Sequence, residues 1–383
     1  MIIQSLRVWI NQQFIPAQIH LHHHQIIKIT PYNEFLADID YGNYRIVPGF
    51  IDTHIHGAYG FDTNDADPEG LKAMMKGLVN EGVTSFCPTT VTQHRDVLNK
   101  ALKNVASVAN EKVQGASIVG IHLEGPFLNA AYKGAQPYEH IIPPSIKQFD
   151  EFYASSNHLI KIITMAPELD HDFELIKHCK ALSVAVSMGH SGATYDEANL
   201  AVAHGASSMT HVFNGMSGLH HRSYNLAGAA HRLQGVYGEI IGDGNHVVWP
   251  AIYTLMLAKG PLHNILITDA LSVKGHPQGD YELGGQKIEV KADGSAYLKG
   301  TNTLSGSTLK MNEGLRNLVE YAQVPMHYAI NATSLNPASL LGLSHKKGKI
   351  AYQYDADLVV LDDQYHVMAT YVLGTCCFKN EGN

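Results

Sequence analysis

In the stretch PGFIDTHIHG, residues 48–57, two histidines stand two apart at the end of an apolar run. Residues i and i+2 of a strand project to the same side. His54 and His56 therefore share a face, and Asp52 shares it with them. Two imidazoles on one face make half of a metal site, although this spacing alone equally fits a packed pair of rings. The same side-chain types recur where other apolar runs end: His122 and Glu124 in SIVGIHLEG, His190 in LSVAVSMGH, His211 in SSMTHVFN, Asp243 in YGEIIGDG with His246 just beyond, and Asp269 in NILITDA. Imidazole nitrogens with carboxylate oxygens suit Zn²⁺ first, and also Fe²⁺, Mn²⁺ or Co²⁺. No cysteine is placed to join them. Such an ion polarises a carbonyl and lowers the pKa of its water from about 15.7 to about 7. A free carboxylate beside it, for which Asp269 is the candidate, takes the nucleophile's proton and passes it to a leaving group. The chemistry is metal-assisted hydrolysis.

These residues need a frame that brings run ends together. Eight strand-length apolar runs, RIVPGFIDTH, GVTSFCPTT, SIVGIHLEG, IKIITMAPE, LSVAVSMGH, SSMTHVFN, YGEIIGDG and NILITDA, are separated mostly by helical patterns. DPEGLKAMMKGLVNEG offers Asp67 as N-cap and Pro68 in the first turn. TYDEANLAVAHG opens on Thr194 and Glu197 at capping-box spacing and stops at Gly205. Apolar strands alternating with helices predict a parallel sheet covered on both faces. Eight such units predict a closed (β/α)8 barrel, a TIM-type fold, over residues 50–345, whose chemistry belongs at the carboxyl ends of its strands. No GxGxxG follows a strand, which leaves a dinucleotide fold without support. Residues 1–49 and 346–383 read as short β segments, predicting a small β-sandwich domain built from both termini. The segment 271–300 after Asp269 reads as a hairpin-containing excursion. His22, His23 and His24 are assigned to a solvated face of an alternating strand.

The bulk numbers agree with an enzyme-sized globular chain. It has 383 residues, of which 45% are hydrophobic and 16% charged, outside the disordered range. Its formal net charge of −8 argues against nucleic acid as a partner. An anionic ligand must be held by a few local cations. The four cysteines form no CxxC, which fits neither a disulfide framework nor a zinc ribbon and favours a reducing, cytoplasmic setting. No apolar run reaches membrane-spanning length.

PGFIDTHIHG, HLEGPFLN, SMGHSGAT, THVFNGM, ITDA and LSGS, in this order along almost the whole chain, resemble the N-acetylglucosamine-6-phosphate deacetylase group of the amidohydrolase superfamily. HLEGPF is the most specific of these motifs. The resemblance implies that Glu124, His190 and His211 hold the principal metal and that Asp269 is the general acid/base. His54 and His56 would hold a second ion bridged by Glu124, so one or two ions per subunit are expected. It further implies that Asn214, Gly215 and Arg222 meet a phosphate, and that His246 reaches the neighbouring site in a homodimer. Ala135 and Gln136 would line the sugar pocket, and Leu304, Ser305 and Gly306 would close over the acetyl group. Some relatives carry histidine where this chain has Gln136. The expected reaction is hydrolysis of the acetamide of the phosphosugar N-acetyl-D-glucosamine 6-phosphate to acetate and D-glucosamine 6-phosphate, in amino-sugar catabolism. The rival readings are another amidohydrolase, such as an aminoacylase or nucleobase deaminase, and a non-catalytic amidohydrolase-like interaction protein.

Overall fold

The computed structural model describes residues 1–283 and 286–380. Eight parallel strands run in sequence order: β1 (Phe50–Ile55), β2 (Val83–Thr90), β3 (Ile121–Glu124), β4 (Ile160–Met165), β5 (Ala185–Met188), β6 (Ala206–Met209), β7 (Tyr237–Ile241) and β8 (Asn264–Ile267). Each pairs in parallel with the next. The ring closes just past the strand ends. The Asp269 amide donates to the His54 carbonyl at 2.8 Å, and the His56 amide donates to the Ala270 carbonyl at 2.9 Å. A (β/α)8 barrel results, as the alternation of runs and helical patterns predicted.

Two of the expected strands are broken. RIVPGFIDTH divides at Gly49 into Arg45–Pro48, which belongs to a separate sheet, and β1. The reason is close approach: a Cβ on Gly49 would lie 2.2 Å from Thr84 Oγ1. SIVGIHLEG divides into Ser117–Ile118, which pairs beside β2, and β3. The helices follow their signals. Asp67 caps Pro68–Leu78 by accepting the Glu69 amide. Thr194 and Glu197 form a reciprocal capping box on Tyr195–His204. The excursion after β8 is a three-stranded antiparallel meander, Gly279–Leu283, Gln286–Val290 and Ala296–Leu298.

Strands from both ends of the chain form one further eight-stranded sheet. It has the character of a sandwich because its two wings share a cluster, with Ile3, Ile19 and Ile46 packed with Leu358, Val360 and Tyr371. Period-two alternation sends the intervening residues the other way: Val47, Val359 and Leu361 join the barrel's apolar cluster. One sheet thus fills its own core and seats the barrel. His22 ends the strand Gln13–His22, and His23 and His24 form the hairpin turn to Gln25–Pro31. All three are exposed, though not as a strand face.

Candidate metal centre and binding cavity

Glu124, His190 and His211 arrive from the ends of β3, β5 and β6. Their ligand atoms lie within 4.8 Å of one another, and all three residues are buried. Glu124 Oε1 is 3.1 Å from His190 Nε2 and 3.2 Å from His211 Nε2, and the two ring nitrogens are 3.2 Å apart. The opposite ring nitrogens are both committed. His190 Nδ1 donates to the Tyr132 carbonyl at 2.9 Å, and His211 Nδ1 donates to the Asn214 carbonyl at 3.1 Å. Carbonyls only accept, so in each neutral ring the proton sits on Nδ1 and Nε2 carries a lone pair. Two lone pairs and a carboxylate oxygen then face one another with no proton between them. Ligands around a tetrahedral Zn²⁺ at about 2.0–2.1 Å would stand about 3.3 Å apart. The donor set therefore fits a divalent cation, with backbone carbonyls orienting both rings.

Backbone conformation aims these side chains. His190, His211 and Asp269 all have positive φ, at 49°, 29° and 49°. This region costs a non-glycine residue roughly 1–2 kcal/mol, and such outliers collect at functional sites. Each lies just past the end of its strand, where the left-handed turn breaks the alternation. Gly215 (φ +57°) completes the turn after β6; a Cβ there would come within 2.9 Å of His190 Nδ1.

His54 and His56 join the same centre through Asp269. His56 Nε2 is 3.1 Å from Asp269 Oδ1 and 3.3 Å from Glu124 Oε2. His54 Nε2 is 3.5 Å from both Glu124 Oε1 and Asp269 Oδ1. Burial disfavours charge on these groups, but the opposite charges overcome it. Hydrogen bonds from Asp269 and Glu124 push His56 up to about 10, and the charge of Glu124 holds His54 well above its ordinary value. Asp269 falls to about 2, chiefly through His54 and then His56, while His54, His190 and His211 hold Glu124 well below the usual carboxylate range. Asp52 does not join them. It accepts from Thr268 Oγ1 at 2.6 Å, inside the barrel wall.

A cavity of about 250 Å³ opens over this centre. Ala135, Gln136, Asn214 and Gly215 line it from the loops after β3 and β6, and Leu304, Ser305 and Gly306 line it from the segment after the meander. His246 lines it too, within its own chain. Its side chain is buried in its own chain's cavity wall, pinned by Nδ1 to Asp243 Oδ2 at 2.6 Å. Burial opposes charge on this ring, but Asp243 and then Asp269 raise its pKa. Arg222 is brought to no part of the cavity lining; it is exposed on the loop after β6.

Sequence reasoning missed Glu239, which lies fully buried in β7 with Oε2 3.0 Å from His54 Nδ1. The signal was a lone acidic residue inside the apolar run YGEII. His122 was singled out as a strand-end residue, but both of its nitrogens are used: Nδ1 donates to the Thr53 carbonyl at 3.0 Å and Nε2 meets Thr164 Oγ1 at 2.7 Å. Gly134, Asn302 and Thr303 also line the cavity, and no motif marked them.

Residues 45–379 match the amidohydrolase family model. The chain is 42% identical over 336 residues to the N-acetylglucosamine-6-phosphate deacetylase of Bacillus subtilis (strain 168), covering 87% of this chain and 84% of that one. It is 36% identical over 329 residues to the N-acetylgalactosamine-6-phosphate deacetylase of Escherichia coli O157:H7, covering 86% of each. Among solved structures, a mutant N-acetyl-D-glucosamine-6-phosphate deacetylase from Mycobacterium smegmatis, in complex with N-acetyl-D-glucosamine-6-phosphate, superposes with a TM-score of 0.93 at 29% identity. The match covers 98% of this chain and 99% of that one.

Proposed function

The chain belongs to the amidohydrolase family, among the N-acetylglucosamine-6-phosphate deacetylases, and from that premise we propose that it hydrolyses N-acetyl-D-glucosamine 6-phosphate to acetate and D-glucosamine 6-phosphate. The observation that carries this reading is the meeting of Glu124, His190 and His211 at one cation-sized point, with the Asp269 carboxylate beside them at the floor of a cavity. Glu124, His190 and His211 would hold a divalent metal, Zn²⁺ by donor type, and His54 with His56 would serve a second. Such a metal supplies Lewis-acid polarisation of the amide carbonyl and acidifies the attacking water.

The chain's own residues do the rest. Asp269 accepts the water proton at its carboxylate and returns it to the amine nitrogen as the C–N bond breaks and the new C–O bond stands. His54 and His56 beside it keep its carboxylate ionised and so able to accept a proton. Leu304, Ser305 and Gly306 close over the acetyl group, and Ala135 and Gln136 bound the sugar. Asn214 and Gly215 offer donors to the phosphate, and His246, in the same cavity lining, adds an imidazole at that end.

We place the protein in a homodimer in the cytoplasm. In it, His246 is the candidate for reaching the neighbouring site, and Arg222, exposed on the loop after β6, is a further candidate for a phosphate contact. No helix among the described residues is long and apolar enough to cross a membrane. We divide the chain into a hydrolase unit, residues 50–345, and a small β domain from residues 1–49 and 346–383, of which 284–285 and 381–383 lie outside the described residues.

The test is acetate release from N-acetylglucosamine 6-phosphate, beside N-acetylgalactosamine 6-phosphate and unphosphorylated N-acetylglucosamine, with and without chelator and with metal measured on the same sample. Chelator-sensitive release from the glucosamine phosphate is expected. Absence of release from it in the metal-loaded protein overturns the assignment.

A further inference from the structure

Three buried carboxylates surround the centre: Glu124, Asp269 and Glu239 are 1%, 8% and 0% exposed. Among the described residues, their ion-pair partners are all histidines.

Glu239 indicates where the next cation sits. Its Oε2 is 3.0 Å from His54 Nδ1 and 3.3 Å from the His211 amide nitrogen. An ionised carboxylate only accepts, so the His54 proton is drawn to Nδ1 and the lone pair to Nε2. That Nε2 is buried and has no hydrogen-bond partner. It points between Glu124 Oε1 and Asp269 Oδ1, at 3.5 Å from each. The neighbouring ring is arranged alike: His56 Nδ1 donates to the Thr89 carbonyl at 3.3 Å, leaving Nε2 against Asp269 Oδ1 at 3.1 Å. Glu239 Oε1 has no partner, so the carboxylate's charge is directed to His54 and the His211 amide. His122 does not compete for this role, because both of its nitrogens are engaged below the centre.

We propose that Glu239 is a positioning residue: by accepting the His54 Nδ1 proton it turns Nε2 toward the second ion position and tunes the affinity of that position. The proposal rests on the metal-dependent reading above.

The experiment measures Zn²⁺ stoichiometry and affinity by competition with a chromogenic chelator, for the full chain and for Glu239→Leu and Glu239→Gln. Imidazole ¹⁵N spectra of the Zn²⁺-loaded proteins report whether His54 carries its proton on Nδ1. The wild type should bind two ions. Glu239→Leu should keep one at unchanged affinity and bind the other about 10–100-fold more weakly, with His54 redistributed away from the Nδ1–H form. Glu239→Gln retains an acceptor and should fall between. Equal affinities for both ions in wild type and Glu239→Leu overturn the proposal, as does equal weakening of both ions in a variant whose circular dichroism is unchanged. If Glu239→Leu does not fold, an unchanged second-ion affinity in Glu239→Gln overturns it. Failure of the deacetylase reading would appear separately, as absent acetate release with the two-ion titration intact.

Discussion

Gln136 donates its side-chain Nε2–H to Glu124 Oε2 at 2.7 Å, while its own Oε1 accepts the Thr92 amide at 2.8 Å. The residue is thus more than a wall of the sugar pocket. It joins the loop after β2 to the loop after β3 and fixes the orientation of the carboxylate shared by both candidate ion positions. Gln136→Leu should leave the Thr92 amide unpaired and Glu124 Oε2 with His56 alone, costing about 1–3 kcal/mol of stability. It should also lower kcat more than it raises KM. Thermal unfolding and steady-state kinetics check this; an unchanged Tm with a purely KM-based loss would contradict it.

Asp269→Asn keeps the shape of the side chain and removes the proton acceptor. Turnover should fall about 10²–10⁴-fold, with one ion still held at Glu124, His190 and His211. A rate within tenfold of wild type, at equal metal content, would rule out the acid/base role.

Arg222 and His246 should both matter to the phosphate, from different sides. His246→Ala should raise KM for the phosphorylated sugar in any assembly state, because this ring lines its own cavity. Arg222→Ala should raise that KM only where subunits share sites. Mixing the two single variants should then restore a fraction of sites with both residues intact. No recovery on mixing would place Arg222 outside catalysis.

Metal removal should destabilise the fold as well as stop turnover. An ion present at about 1,000 times its Kd stabilises by about 4 kcal/mol. Chelator should therefore lower Tm by several degrees, and Zn²⁺, Mn²⁺ or Co²⁺ should restore it. A Tm indifferent to chelator would argue against ion binding at this centre.

Lys259 gives a pH signature away from the site. It ends the helix Trp249–Lys259, with its ammonium buried and donating to the Ala230 carbonyl at 2.9 Å. Burial lowers its pKa to about 8, against about 10.4 in an unfolded chain. Below pH 8 both states keep the proton, and the full burial cost is present. Between about 8 and 10.4 the unfolded chain binds more protons, so this group's contribution to stability rises with pH. From pH 7 to 10 the wild type should gain about 1–3 kcal/mol relative to Lys259→Met. A difference that does not change with pH would show that the ammonium is not penalised.

Much of this architecture was legible because its signals are local. The capping box at Thr194 and Glu197 and the N-cap at Asp67 depend on residues three or fewer apart, and both form. The break at Gly49 was not legible, because its cause is Thr84, thirty-five positions away in sequence and 2.2 Å from where a Cβ would stand. That His246 lines the cavity while Arg222 lies exposed outside its lining was not legible for a similar reason: sequence order puts both after barrel strands but says nothing of which loop folds inward.

The sequence by itself determined the side-chain types at the ends of the apolar runs, and so the hydrolytic metal chemistry, because alternation and composition are properties of neighbours along the chain. Only the tertiary structure decided which oxygen meets which nitrogen, that Glu239 lies under His54, and that Gln136 holds Glu124. Those pairings exist because closing the ring brings β8 beside β1, and left-handed turns after three strands aim the side chains at one point; neither is set by residues adjacent in sequence.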